Sequence, residues 1–291
     1  MAGHGKIKQQ QGKKKMNNII KKFEKMNDEQ LDQLFKSLDE KTDISWPYIA
    51  GWIDGDGFIG KLNKKTYGVM LKIADKEPVE MLSELFKCSL AQEQVDKRSL
   101  YLKPPKRRYY VVIRGKKALY LAKKIAPFIM EKTKNLYKTL QYYECNEKFP
   151  YMQLNNEDFI NYLVGFSEAE GCFFCSNEKS NYIYSVSNTN LNLLKYLERR
   201  LKQLGFFKFK IVTIKKEGFY FFNKAVTDKI IHRKISYRLE MNGYALLDFY
   251  NLIKDKLIIN RKKEKVLATI EHFKDYRGTS YNNYMRDKLA L

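Results

Sequence analysis

Histidine is scarce: the 291 residues hold three, His4, His232 and His272, too scattered for a histidine-built metal nuclease. The four cysteines are Cys88, Cys145, Cys172 and Cys175. The last two form a C-x-x-C, but no second pair or histidine cluster follows, which speaks against a zinc site. Three positions apart on a strand they would face opposite ways, so buried strand thiols are the expectation. No apolar run approaches the ~18 residues of a membrane span. Acids are outnumbered, 33 against 55 lysines and arginines, for a net charge of +22. An excess of that size implies a polyanionic partner, most simply nucleic acid. With 44% hydrophobic and 14% aromatic residues the chain can bury cores, which excludes a disordered basic tail protein.

One pattern occurs twice. Ile49-Ala50-Gly51-Trp52-Ile53-Asp54-Gly55-Asp56-Gly57 returns as Leu163-Val164-Gly165-Phe166-Ser167-Glu168-Ala169-Glu170-Gly171, 114 positions on (Asp56 to Glu170). That spacing suits a duplicated module, not a solenoid with its ~20–50-residue period. Ser45 is a suitable N-cap with Pro47 in the first turn, and Asn155 or Asn156 serves the second copy. Gly57 is expected as a left-handed helix stop. Gly51 and Gly55 share a helix face, as do Gly165 and Ala169, so each bare face predicts a closely approaching helix, most simply the other copy. Asp56 and Glu170 close helical turns where the dipole is already negative. Packed side by side, the helices would bring these carboxylates together, and such a pair needs a proton or a metal between them. Divalent ions held by two carboxylates suit phosphodiester hydrolysis. Asp54 and Glu168, about 200° away around the helix, cannot face that centre and are read as structural or capping groups.

Both stretches resemble the LAGLIDADG motif, and the chain resembles a single-chain, two-motif LAGLIDADG homing endonuclease from about Ile44 to the end of the second repeat. The resemblance implies an α+β fold of two pseudo-symmetric αββαββα repeats. The motif helices would pack at the centre, and two antiparallel sheets would form a saddle in the DNA major groove. It implies Asp56 and Glu170 as catalytic acids that hold two or three Mg²⁺ ions, helped by the carbonyls of Gly55 and Ala169. Ser167, in place of an apolar residue, and Glu168 and Glu170, in place of Asp, are mild departures. The ends of the repeats align at an offset of 130, which matches Lys132 with Lys262. The resemblance places a basic residue there near metal and scissile phosphate; a register slip of one would substitute Arg261 or Lys263. Asp75 and Asn188 match polar residues that order the attacking water.

The rest of the chain is consistent with two repeats. Residues 1–43 are expected as a basic tail and an amphipathic helix, 44–145 as the first repeat, 146–154 as a linker and 155–291 as the second repeat. Residues 1–26 are Lys-rich without the apolar core of a secretory signal. They read as a solvated tail, a non-specific DNA tether, or in part a foreign leader. Leu31, Leu34, Phe35 and Leu38 recur at helical spacing and should pack outside the first repeat. Hairpins are expected over 58–65 with 67–75, 92–102 with 108–114, and 172–177 with 182–188. Residues 215–229 read as an enlarged basic loop along DNA. The expected DNA-facing side chains are Lys64, Lys72, Arg107, Arg108, Ser176, Lys208, Lys210, Arg233 and Arg238, from strands or the basic loop near 103–108.

The functional expectation is a monomeric, site-specific endonuclease cutting double-stranded DNA at a long asymmetric site and leaving short 3′ overhangs. Absence of splicing-type flanks favours an intron-encoded form. Rivals are an intron RNA maturase on the same fold and a non-cleaving DNA-binding regulator. A decayed regulator should have lost an acid, whereas both acids and both lysines remain.

Overall fold

The computed structural model describes residues 18–93, 108–147, 149, 154–176, 181–215, 218–221, 230–233, 235–242 and 245–275. The centre is a helix pair. Helix α2 (Trp46–Gly55) starts at Ser45, whose side chain accepts from the Tyr48 amide, with Pro47 in the first turn. Helix α6 (Asn156–Glu170) starts at Asn155, whose side chain accepts from the Asp158 amide. The two pack along their length as the glycine spacing predicts. A Cβ on Gly51 would stand 2.7 Å from the Phe166 amide nitrogen and nearer still to the Tyr162 carbonyl oxygen. A Cβ on Gly165 would meet the Tyr48 carbonyl in the same way. Ala50, Trp52, Ile53, Leu163, Val164 and Phe166 are all buried around this contact.

Each central helix leads directly into a sheet. In the first half, β2 (Gly57–Asn63) pairs with β3 (Thr66–Ile73), and helix α3 (Glu77–Leu85) leads to β4 (Leu90–Glu93) and β5 (Arg108–Arg114). In the second, β6 (Gly171–Ser176) pairs with β7 (Asn181–Asn188), then come helix α7 (Leu191–Gln203), β8 (Lys210–Lys215) and β11 (Ser236–Asn242). All the pairings are antiparallel. The first half closes with α4 (Gly115–Ile125) and α5 (Thr133–Tyr142), the second with α8 (Ala245–Ile253) and α9 (Asn260–Asp275). This is the expected α+β architecture with an extra closing helix in each half.

Three features depart from the sequence reading. Gly57 does not adopt a positive φ. It enters β2 directly, and glycine is required because a Cβ would lie 2.6 Å from the Ile53 Cα. Asn18–Lys21, expected within the tail, form strand β1 on the edge of the first sheet, whose order is β1-β4-β5-β3-β2. Within the expected loop, Gly218–Phe221 form β9, and the single strand that the pattern suggests over 230–241 is divided: β10 (Ile230–Arg233) pairs with β9, while β11 belongs to the second sheet; residues 222–229 lie outside the described part. Helix α1 (Asp28–Glu40) carries a capping box between Asn27 and Gln30 and packs on α4, where Phe35 stacks on Tyr120 with ring centroids 4.5 Å apart. No described helix is long and apolar enough to cross a membrane.

Candidate active site at the helix pair

The inner acids explain how the site is assembled. Asp54 and Glu168 are 2% and 1% exposed, and burial is the largest influence raising both carboxyls above their ordinary range. Charge at that depth persists only with hydrogen bonds. Asp54 accepts from the amides of Met130, Glu131 and Lys132 at 2.6, 3.0 and 2.9 Å, so it fixes the turn that opens α5. Glu168 accepts from the amides of Ile258 and Ile259 at 2.9 and 2.7 Å, just before α9. The capping role read from their helical angle therefore holds.

Each inner acid positions the lysine that closes its own helix. Lys132 Nζ donates to the carbonyls of Ile53, Asp54 and Gly55 at 2.7, 2.6 and 2.7 Å. Lys262 Nζ donates to the carbonyls of Ser167 and Gly171 at 3.3 and 3.0 Å and to that of Glu168. A cation on the last carbonyls offsets the negative end of the dipole and permits an outer acid there. Burial lowers both ammonium groups, that of Lys262 to about 8. The Gly55 carbonyl, expected to hold metal, is thus also a lysine acceptor.

Sequence reasoning missed the tyrosines. Tyr48 on α2 donates to Glu168 on α6, and Tyr162 on α6 donates to Asp54 on α2 at 2.9 Å. The two bonds are the same contact repeated across the pseudo-dyad. The available signal was a tyrosine six positions before the inner acid in both copies.

The outer acids, Asp56 and Glu170, sit exposed at neighbouring helix ends. A Cβ on Gly55 would lie 3.2 Å from Glu170 Cγ and 3.6 Å from Ala169 Cα, so the ends converge. Partial loss of solvent around the helix ends raises both carboxyls, and Asp56 adds to the rise at Glu170; Lys132 and Lys262 oppose it at both. Two carboxylates brought close at convergent helix ends, each with its charged form disfavoured, could share a hard cation. Among the described residues, no group of three or more His, Cys, Asp and Glu is arranged to hold a metal ion.

The remaining predicted residues separate into near and far. Asp75 is gripped by Arg261, with Nε–Oδ1 and Nη2–Oδ2 at 2.5 and 2.6 Å, across the two repeats. Asn188 is not its equivalent: Gly57 lies opposite Leu71 and Gly171 opposite Val186, so the position matching Asp75 is Asn190. Asn188 instead accepts from the Asn190 amide at 2.7 Å. The second hairpin is one residue longer than the first, so the match to Asp75 falls one position beyond the motif offset of 114, at Asn190 and not at Asn188. Arg108, at the start of β5, is near enough to Asp56 to lower its carboxyl. Lys64 is exposed in the β2–β3 turn, and Lys208 is exposed before β8. Lys72 pairs with Glu93 at 2.6 Å, Lys210 with Glu240 at 3.0 Å, and Arg238 reaches Glu240 at 3.8 Å. Arg107 lies outside the described residues, as do the side chains of Ser176 and Arg233. Cys172, expected to be buried, is exposed beside exposed Phe174 because inward-facing Phe173 sets the alternation of β6. No disulfide joins the described cysteines Cys88, Cys145 and Cys172.

No protein-family profile matches the chain, and no curated protein does. Several solved structures are similar at low identity. The homing endonuclease I-WcaI bound to its DNA recognition sequence is 14% identical, with a TM-score of 0.44 over 84% of this chain and 94% of that one. Full-length DUF199/WhiA from Thermatoga maritima is 12% identical, with a TM-score of 0.42 over 89% of this chain and 72% of that one. The LAGLIDADG meganuclease I-CpaMI bound to uncleaved DNA is 11% identical, with a TM-score of 0.35 over 84% of this chain and 89% of that one.

Proposed function

We propose that the protein is a divalent-metal-dependent, site-specific double-strand DNA endonuclease of the LAGLIDADG homing type, acting as a monomer. The observation that supports it best is the convergence of Asp56 and Glu170 at the ends of two glycine-packed helices, each end closed by a lysine. The two carboxylates, with helix-end carbonyls, would hold Mg²⁺, leaving its other positions to water and phosphate. When bound, the ions supply charge stabilisation and an activated water for phosphodiester hydrolysis. Lys132 and Lys262 hold the helix ends in place and add positive charge where phosphate oxygens gain negative charge. Exposed basic side chains on and beside the two sheets, among them Lys64, Arg108 and Lys208, would bind phosphates and make affinity steeply salt-dependent. Two unlike halves suit a target without a palindrome.

The test is cleavage of DNA from an intron-free relative of the source, with mapped ends. Wild type is run beside Asp56→Asn and Glu170→Gln, in Mg²⁺ and in Ca²⁺. Paired breaks at one locus, leaving short 3′ overhangs and lost in both variants and in Ca²⁺, are the expected result. Tight DNA binding without breaks would overturn the nuclease reading in favour of a DNA-binding regulator. Preferential binding of intron RNA, unaffected by loss of either acid, would favour a splicing role.

A further inference from the structure

The bridges that join the repeats beside the acids occupy equivalent positions but differ in chemistry. Asp75 and Asn190 correspond by strand register, and Glu131 and Arg261 each precede one of the paired lysines. In one bridge Arg261 grips Asp75 through both carboxylate oxygens. Opposite charges meet there and no excess remains. In the other, Asn190 Nδ2 donates to Glu131 Oε2 at 2.7 Å. The amide occupies one oxygen and leaves the charge of Glu131 in place.

Glu131 also shares a space with an outer acid. A cavity of about 320 Å³ is walled by Glu131, Glu170, Gly55, Lys132, Asn188 and Thr189, among others. Lys132 does not distinguish this side, because its ammonium is tied to three carbonyls and Lys262 is held likewise on the other. The inequality between the halves rests on Glu131 against the neutralised Asp75.

We infer that Glu131 makes the Glu170 half of the acid pair the stronger divalent-cation half, while Arg261 denies Asp75 the same role beside Asp56. The inference rests on the metal-dependent reading above. Glu131 acts through its charge across the shared cavity, and a carboxylate charge several ångströms from a divalent ion, partly screened by solvent, changes its affinity by roughly tenfold. On DNA, unequal filling at limiting metal makes the two strands break in order, with a nicked intermediate.

The experiment is Mn²⁺ titration of the full chain without DNA, with unbound ion followed by its electron paramagnetic resonance signal. Wild type should bind one ion more tightly than any other. Glu131→Gln should weaken that ion about tenfold. Asn190→Ala breaks the bridge but keeps the carboxylate, and should leave the affinity within about twofold. No bound ion, equivalent sites in wild type, or an unaffected Glu131→Gln each overturns the inference. So does an equal loss in Glu131→Gln and Asn190→Ala, which would make the bridge merely structural. Ion binding as expected with no DNA cleavage would sink the nuclease reading while leaving this inference standing.

Discussion

Gly51→Ala tests whether close helix contact, not helix propensity, governs the centre of the molecule. Propensity alone predicts a gain of about 1 kcal/mol, because alanine is the better helix former. The geometry predicts the reverse. The added Cβ would lie 2.7 Å from the Phe166 nitrogen and nearer to the Tyr162 oxygen, both backbone atoms that cannot rotate away. Comfortable contacts begin near ~3.5 Å, so α2 and α6 must separate by about 1 Å. A gap of that size forfeits roughly a quarter to a half of the dispersion energy of contacts such as those of Trp52 and Phe166, and overpacking itself costs about 1–3 kcal/mol. Overpacking less the propensity gain leaves up to about 2 kcal/mol, and the lost dispersion adds to it, so a net loss of about 2 kcal/mol is expected. Urea unfolding followed by tryptophan fluorescence reads it directly. Gly115→Ala is the comparison: its φ of +62° strains alanine, but nothing lies within 4 Å, so it should cost only about 1 kcal/mol. Gly165→Ala should resemble Gly51→Ala, and the double variant should cost less than the sum, because one separation relieves both clashes. A Gly51→Ala protein as stable as wild type, or more stable, refutes the close-contact argument.

Other outcomes follow from the same geometry. Tyr48→Phe and Tyr162→Phe each remove the partner of a buried acid and should cost about 1–3 kcal/mol in urea; Tyr48→Phe with Glu168→Gln should show coupling, and strict additivity would deny the bond. Asp56→Asn and Glu170→Gln should raise the thermal midpoint modestly, by the equivalent of about 0.5–1 kcal/mol, since each removes charge from a crowded helix C-terminus; a lowered midpoint contradicts the electrostatics. Lys262 is held near pH 8 in the folded chain against 10.5 ordinarily. Between those values the unfolded chain keeps a proton that the folded chain has released, so stability should rise with pH across about 8–10.5. Lys262→Met should flatten that rise, and an unchanged slope would place the titration elsewhere.

The sequence made the centre legible because the centre obeys local rules. Caps at Ser45 and Asn155, glycines at helical spacing and acids two positions apart each have one dominant physical reading, and the duplication checked them against each other. What escaped depended on long-range register. Asn190 could not be told from Asn188 until strand pairing aligned the hairpins. The tyrosines were invisible because their acceptors lie on the other helix, 120 and 108 positions distant. Lys72 and Lys210 read as DNA-facing from alternation, yet each meets an acid that alternation does not reveal: Lys210 has Glu240 directly opposite on β11, and Lys72 reaches across β5 to Glu93 on β4. Strand β1 was hidden by composition: lysine-rich tails usually stay solvated, and here a neighbouring strand edge provides backbone partners.

The unlike bridges also govern which repeats can associate. The tyrosine–acid contacts are indifferent to identity, because the first repeat carries both Tyr48 and Asp54 and could satisfy them with a second copy of itself. The bridges are selective. Two first repeats would set Asp75 against Glu131 twice, acid facing acid, with Arg261 and Asn190 both missing. Two second repeats would set Arg261 against Asn190 and leave two guanidinium groups without a carboxylate. Only the mixed pair satisfies every position. Excised halves would therefore find each other in preference to themselves, and the covalent tether strengthens a choice already written into four side chains.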